Sequence, residues 1–154
     1  MSVARTPGPD RVTLREFEER LVSFCVQSGV SGLPRKKRDQ HIILKSVTLT
    51  FDKTEEYTER SVNQRLQTWL NEVGRSLDLD HVRLRRHLVD AEFLGRSKDG
   101  SRYWVAVLSR NQVPFDSEVE NIDVYALVRR RREANARPPD GANRRLRREP
   151  KTDR

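Results

Sequence analysis

The chain of 154 residues has one cysteine, Cys25, so no disulfide framework can form within it. Nothing near Cys25 in the sequence would activate a thiol, and the residue reads as a small apolar side chain on a helix face. Long hydrophobic runs are missing as well. The longest are Ile42-Ile43-Leu44 and Val105–Leu108, far below the roughly 20 residues that span a bilayer. The first ten residues, MSVARTPGPD, lack the apolar stretch of a secretory signal. A cytoplasmic protein without membrane contact is expected. Hydrophobic residues make up only 34% of the chain and charged ones 35%, which supports a small core. The histidines His41, His81 and His87 have neither metal-ligand spacing nor partner cysteines. No glycine-rich phosphate loop precedes a helix. No catalytic residue, metal or cofactor is therefore expected, and the chain does not read as an enzyme.

Charge is abundant, with 31 Lys and Arg against 23 Asp and Glu. The excess is local. From Arg129 onward there are 11 basic and 4 acidic residues, so the 128 residues before it are nearly neutral. Any polyanion site in that neutral part must arise by sorting charges onto one face, because net charge alone does not specify recognition.

Residues 1–11 read as a disordered leader, and 12–30 as an N-terminal helix. In that helix Leu14, Phe17, Leu21, Phe24 and Cys25 recur at helical spacing. Thr13 and Glu16 form a capping-box pattern, and Ser28-Gly29 supplies the stop. A second helix is expected from Pro34 to about Leu49. It carries Arg35, Lys36, Lys37 and Arg38 in its first turns, where they oppose the helix dipole. Phe51 reads as a core anchor, and Tyr57 as part of a very short strand. Thr58 caps a third helix, Glu59 to Val73, with Val62, Leu66, Trp69 and Leu70 inward. After Gly74, Asp78 or Asp80 caps a fourth helix, His81 to Glu92.

The fourth helix places Leu84, Leu88 and Ala91 on one face. Val82 and Val89 fall nearly opposite, which predicts cover from another element such as the N-terminal helix. Arg83, Arg86, His87 and Asp90 share a third face at i, i+3, i+4, i+7 spacing. Arg83 could instead pair with Asp90. Arg85 points toward the Glu92 side and reads as structural. A hairpin follows. Its expected turn is a tight two-residue Asp99-Gly100 loop, with Arg96, Lys98 and Arg102 on the strands. Tyr103 alternates inward and Trp104 outward. A last helix, Glu118 to Asn135, ends in Arg129, Arg130, Arg131 and Arg132, followed by a basic disordered tail over 137–154.

This order predicts an α+β fold, mainly α: a winged-helix-like unit over 33–108, three helices plus a β-hairpin wing, with an extra N-terminal helix and a C-terminal helix over 118–136. The residues also resemble domain of unknown function family 2087. The motifs that carry the likeness are Leu33-Pro34-Arg35-Lys36-Lys37-Arg38, Phe51, Tyr57-Thr58-Glu59, Val62-Asn63, Asp80, Leu84–Asp90, Arg96, Asp99-Gly100-Ser101 and Tyr103-Trp104. The resemblance implies a small winged-helix-like prokaryotic domain, found alone or appended to ArsR-type transcriptional regulators. This chain departs from the family pattern in a longer link, Leu70 to Leu79.

Together these features predict a nucleic-acid-binding protein, duplex DNA being the first partner and RNA the second, with a role in transcriptional regulation. Arg83, Arg86 and His87 would meet the groove, and Lys98 and Arg102 would act from the wing. Arg35, Lys36 and Lys37 would contact phosphates, and Arg129 to Arg132 with the tail would supply salt-sensitive attraction. Two other readings stay open at this point. One is a protein-interaction module or homodimer using Val82, Val89 and Trp104. The other is RNA or ribosome association through the tail.

Overall fold

Apolar residues at three- and four-residue spacing form helices in the four segments expected before the hairpin, and the departures lie at helix ends, in the hairpin turn and at the start of the last helix. A computed structural model of the chain describes residues 10–26, 32–107 and 109–136. Residues 1–9 of the expected leader, the linker residues 27–31, Leu108 and the tail 137–154 lie outside the described residues.

Helix α1, Leu14–Val26, buries Phe17, Leu21, Val22 and Cys25. Burial pushes the Cys25 thiol up to about 12, so it is a packing group and not a nucleophile. Thr13 Oγ1 accepts from the Glu16 backbone N–H at 3.1 Å. The other half of the capping box is not made, because Arg38 claims the Glu16 carboxylate through two bonds of 2.6 Å. Arg38 also donates to the carbonyls of Asp10 and Arg11. Arg11 in turn donates to the Phe115 carbonyl at 2.7 Å. Asp10 and Arg11 are thus tied to the body of the protein and are not part of a loose leader.

Helix α2, Lys37–Thr48, starts later than Pro34 because Lys36 is still extended, at φ −71° and ψ 133°. It buries Ile42, Ile43, Leu44 and Val47, and His41 with them. Strand β1, Glu56–Tyr57, is followed by α3, Glu59–Glu72, whose cap Thr58 accepts from the Ser61 N–H. Val62, Leu66 and Trp69 point inward from α3. The long link then makes a 3-10 turn at Arg75–Leu77. Leu77 and Leu79 are buried, and the Ser76 hydroxyl donates to the Cys25 carbonyl at 3.1 Å. The longer link and the additional helix therefore pack on each other.

Helix α4, His81–Asp90, is capped by Asp80, which accepts from the Arg83 N–H at 2.8 Å. It stops two residues before the expected Glu92. Glu92 has φ 64°, and the Glu92 and Phe93 N–H groups return to the carbonyls of Val89 and Leu88. This is a Schellman closure made without glycine. The left-handed Glu92 is held by Ser109 and Asn111, which donate to its carboxylate at 2.6 and 2.7 Å.

Strands β2, Leu94–Arg96, and β3, Tyr103–Val105, complete an antiparallel sheet of order β1-β3-β2. Gly95 faces Trp104 across the ladder, and the indole lies so close over Gly95 that no Cβ would fit. The hairpin loop is longer than the two-residue turn expected. The Gly100 N–H bonds to the Ser97 carbonyl, so Lys98 and Asp99 are the central turn residues. Gly100 follows with φ +76°.

The last helix is shorter than expected and is broken. Ser117–Asn121 forms a 3-10 turn, Ile122 is extended, and α5 runs Val124–Ala136. The break has a local cause: the Asp123 carboxylate accepts from the Ala126 N–H and opens a new helix there. Helix α5 packs on α1 and α3, whereas α4 packs on α3 and β2. Helix α1 therefore does not cover Val82, which stays 44% exposed. The described residues form five α-helices and one small antiparallel sheet, a mainly helical α+β fold consistent with a winged-helix-like arrangement plus extra helices. No helix among the described residues is long and apolar enough to cross a membrane.

Two packing details generate tests. A Cβ on Gly74 would sit 2.3 Å from the ring of Trp69, which is fully buried and has no room to retreat. Gly74→Ala should cost about 1–3 kcal/mol in urea unfolding, and an unchanged midpoint would contradict this packing. The second detail is His41, whose Nδ1 accepts from the Val113 N–H at 3.1 Å while its ring meets Phe93 edge-on at 5.0 Å. Burial, assisted by Lys37, depresses its pKa from 6.5 to about 4. The unfolded chain binds this proton first, so stability should fall as pH drops from about 7 toward 4 and level off below. His41→Gln keeps an acceptor and should flatten that part of the pH–stability curve. A slope equal to that of the wild type would remove His41 as its cause.

Candidate nucleic-acid interface

Leu84 and Leu88, four residues apart and fully buried, fix the rotation of α4. That rotation leaves Arg83, Arg86 and Asp90 exposed and His87 half-buried on the flank. Of the α4 arginines, Arg85 is the one engaged in an ion pair among the described residues. It reaches Glu59 at 3.9 Å and also donates to Asn63 Oδ1 on α3. Arg85 is structural, as expected, but its partners lie on α3 and not at Glu92. The Arg83–Asp90 pairing is not formed. Asp90 lines the groove on one side of α4, while Arg83 borders a separate depression with Arg75, Asp78 and Asp80.

The groove between α4 and the sheet has a volume of about 340 Å³. Val82 and Val89 form its apolar part. Arg85, Arg86 and Asp90 from α4, Glu59 from α3 and Arg96 from β2 supply its charged lining. Tyr103 closes the base, where its hydroxyl receives a hydrogen bond from Arg96 Nε at 3.2 Å. Arg96 is the candidate that sequence reasoning left out of the site. The usable signal was its cross-strand position opposite Tyr103, which becomes visible only once the hairpin register is known.

The wing is less cationic than its sequence suggests. Lys98 is exposed at the turn, but Asp99 stands next to it. The Ser101 backbone N–H, then the Ser101 and Ser97 hydroxyls, hold the Asp99 carboxyl down at about 2, so the tip carries a permanent negative charge beside Lys98. Arg102 is paired with Glu56 at 3.2 Å. Both side chains are exposed, so the pair is weak and open to competition.

The remaining candidate cations lie elsewhere. Arg35, Lys36 and Lys37 are exposed at the start of α2, beside the Arg38–Glu16 and Arg20–Asp39 pairs that lock α2 to α1. None of them lines the α4 groove. Arg129, Arg130 and Arg131 are exposed on α5. Arg132 turns inward. It donates to the carbonyls of Cys25 and Val73 at 3.1 Å each, and also to that of Glu72. Its guanidinium thus closes the C-terminal ends of α1 and α3 and is withdrawn from the arginine row. Trp104 is 37% exposed and covers Gly95, whereas Tyr103 is a core residue. The structure therefore brings together Arg86, Arg96 and the flanks of α4, and leaves the α2 and α5 cations as separate patches.

Neither the curated proteins nor the solved structures give a significant match to the chain. A family profile does match, over residues 30–105, and its description is "Uncharacterized protein conserved in bacteria (DUF2087)". The matched span runs from the approach to α2 through β3 and takes in α4 and the hairpin, while α1 and α5 fall outside it. The chain thus carries a DUF2087 domain, to which it adds one helix on either side.

Proposed function

We propose that this protein binds duplex DNA through the outer face of α4 and the β2–β3 hairpin, and that it serves as a transcriptional regulator. One observation carries the reading. Helix α4 is turned by its buried leucines so that Arg83 and Arg86 stand exposed, without an ion-pair partner among the described residues, and Arg86 lines a groove shared with the β2–β3 hairpin. Guanidinium groups in that setting suit bidentate contacts to phosphates or to guanine edges. His87, on the same flank, adds a donor or acceptor at the margin. Arg129 to Arg131 supply a second, sequence-independent attraction on α5.

A docking role for protein partners is favoured by one different observation, the exposure of Val82, Trp104 and Val107 at 44%, 37% and 59%. Three scattered side chains, Val82 among the charged residues that line the groove, make a small apolar surface, which is why duplex binding is preferred.

The test compares wild type, Arg83→Ala/Arg86→Ala/His87→Ala, and a truncation after Ala136, using fluorescence anisotropy on a panel of duplexes over a salt series. Truncation must leave Arg132 in place, since its guanidinium holds helix ends together. The triple variant should lose sequence preference and keep residual binding. The truncation should give a shallower log K against log salt, about 0.9 less for each phosphate contact removed, and should keep a specific component. An unchanged footprint in the triple variant would refute the α4 assignment. Binding that disappears on truncation and shows no preference for duplex would favour RNA. A stable dimer without nucleic-acid affinity would favour the docking role.

A further inference from the structure

The groove between α4 and the hairpin contains a guanidinium, that of Arg96, that is already positioned and has no ion-pair partner among the described residues. Arg96 sits at the end of β2, exposed, directly opposite Tyr103 in the ladder. Its Nε donates to the Tyr103 hydroxyl at 3.2 Å. Its Nη2 lies over Gly100 so closely that an added Cβ would stand 2.5 Å away. The Tyr103 ring is 99% buried, so the hydroxyl that receives Arg96 is anchored in the core. A long side chain ordinarily loses rotamer freedom when it binds, and this one has lost part of it beforehand.

The charges around it define what it can take. Arg85 is neutralised by Glu59. That leaves Arg86 and Arg96 with Asp90 in the groove lining, an excess of one positive charge. We propose that Arg96, with Arg86 across the groove, forms a seat for one backbone phosphodiester, and that Tyr103 is its positioning residue. A phosphodiester carries one negative charge and presents oxygens suited to guanidinium forks. This seat rests on the duplex-binding reading and adds to it a contact that fixes register without reading sequence. It also places the working part of the hairpin at the turn-proximal end of β2, beside the charge-balanced Lys98 and Asp99.

The experiment measures anisotropy of fluorescein-labelled duplexes of several unrelated sequences across a salt series. The variants are Arg96→Ala, Arg96→Lys and Tyr103→Phe, with Arg83→Ala/Arg86→Ala alongside. Near-UV circular dichroism confirms the fold of each. Arg96→Ala should weaken every duplex by a similar factor, about 3- to 10-fold, and should lower the salt slope by about one. Arg96→Lys should restore the slope but not the whole affinity. Tyr103→Phe should keep the wild-type slope and lose part of the affinity, since the charge remains while its placement does not. If Arg83→Ala/Arg86→Ala weakens binding but Arg96→Ala changes neither affinity nor slope, the seat is wrong and the α4 reading stands. A loss confined to one sequence would make Arg96 a base contact and would also overturn the seat. If wild type binds no duplex, the parent reading fails and the seat falls with it.

Discussion

Two leucines decide what α4 can offer. Helix α4 has ten residues, and Leu84 and Leu88 are the ones it buries completely. Their burial against α3 and the sheet sets the rotation of the helix. A turn of about 100° either way would put Arg83 or Arg85 into the core, where an unpaired guanidinium would cost several kcal/mol. The display of cations is therefore a consequence of apolar packing and needs no attraction of its own. The Asp80 cap and the Schellman closure at Glu92 fix both ends of the helix, so it has little freedom to slide.

Around this helix, long-range arginine contacts hold the added parts in place. Arg38 gathers Glu16 and the carbonyls of Asp10 and Arg11. The Arg38 guanidinium holds the Glu16 carboxyl below its ordinary range, against the opposing pull of partial burial. Arg132 does the corresponding work at the other end, on the carbonyls that close α1 and α3. Both residues stand in basic runs that look like polyanion-binding stretches. Their neighbours Arg35 to Lys37 and Arg129 to Arg131 remain exposed. A basic run in this chain thus mixes fasteners with free charges.

Much of the fold was legible because its signals are local. Three- and four-residue apolar spacing marked α1, α3 and α4, and Thr58 and Asp80 marked their starts. Alternation marked Tyr103 as inward and Trp104 as outward. Turn chemistry was harder to read. Asp99-Gly100 resembles a two-residue turn, yet the Ser97 carbonyl and hydroxyl shift the turn by one residue. Helix α5 was misjudged at its start because Val119 is apolar and helically spaced from Ile122, although Asp123 caps a separate helix. The candidate site was legible at Arg83 and Arg86, whose exposure follows from the period of one helix. It was not legible at Arg96, Arg102 or Arg132. Their partners, Tyr103, Glu56 and the carbonyl of Cys25, come from other strands or helices, and no spacing rule announces them.

What matters most is whether the face shaped by Leu84 and Leu88 is the one that meets a duplex. An NMR titration of ¹⁵N-labelled protein with duplex DNA at moderate salt answers this directly. Amide shifts concentrated in residues 82–90 and 95–103, with smaller changes along 129–131, are the expected result. Shifts confined to α5 and the residues beyond it, with α4 and the hairpin silent, would contradict it.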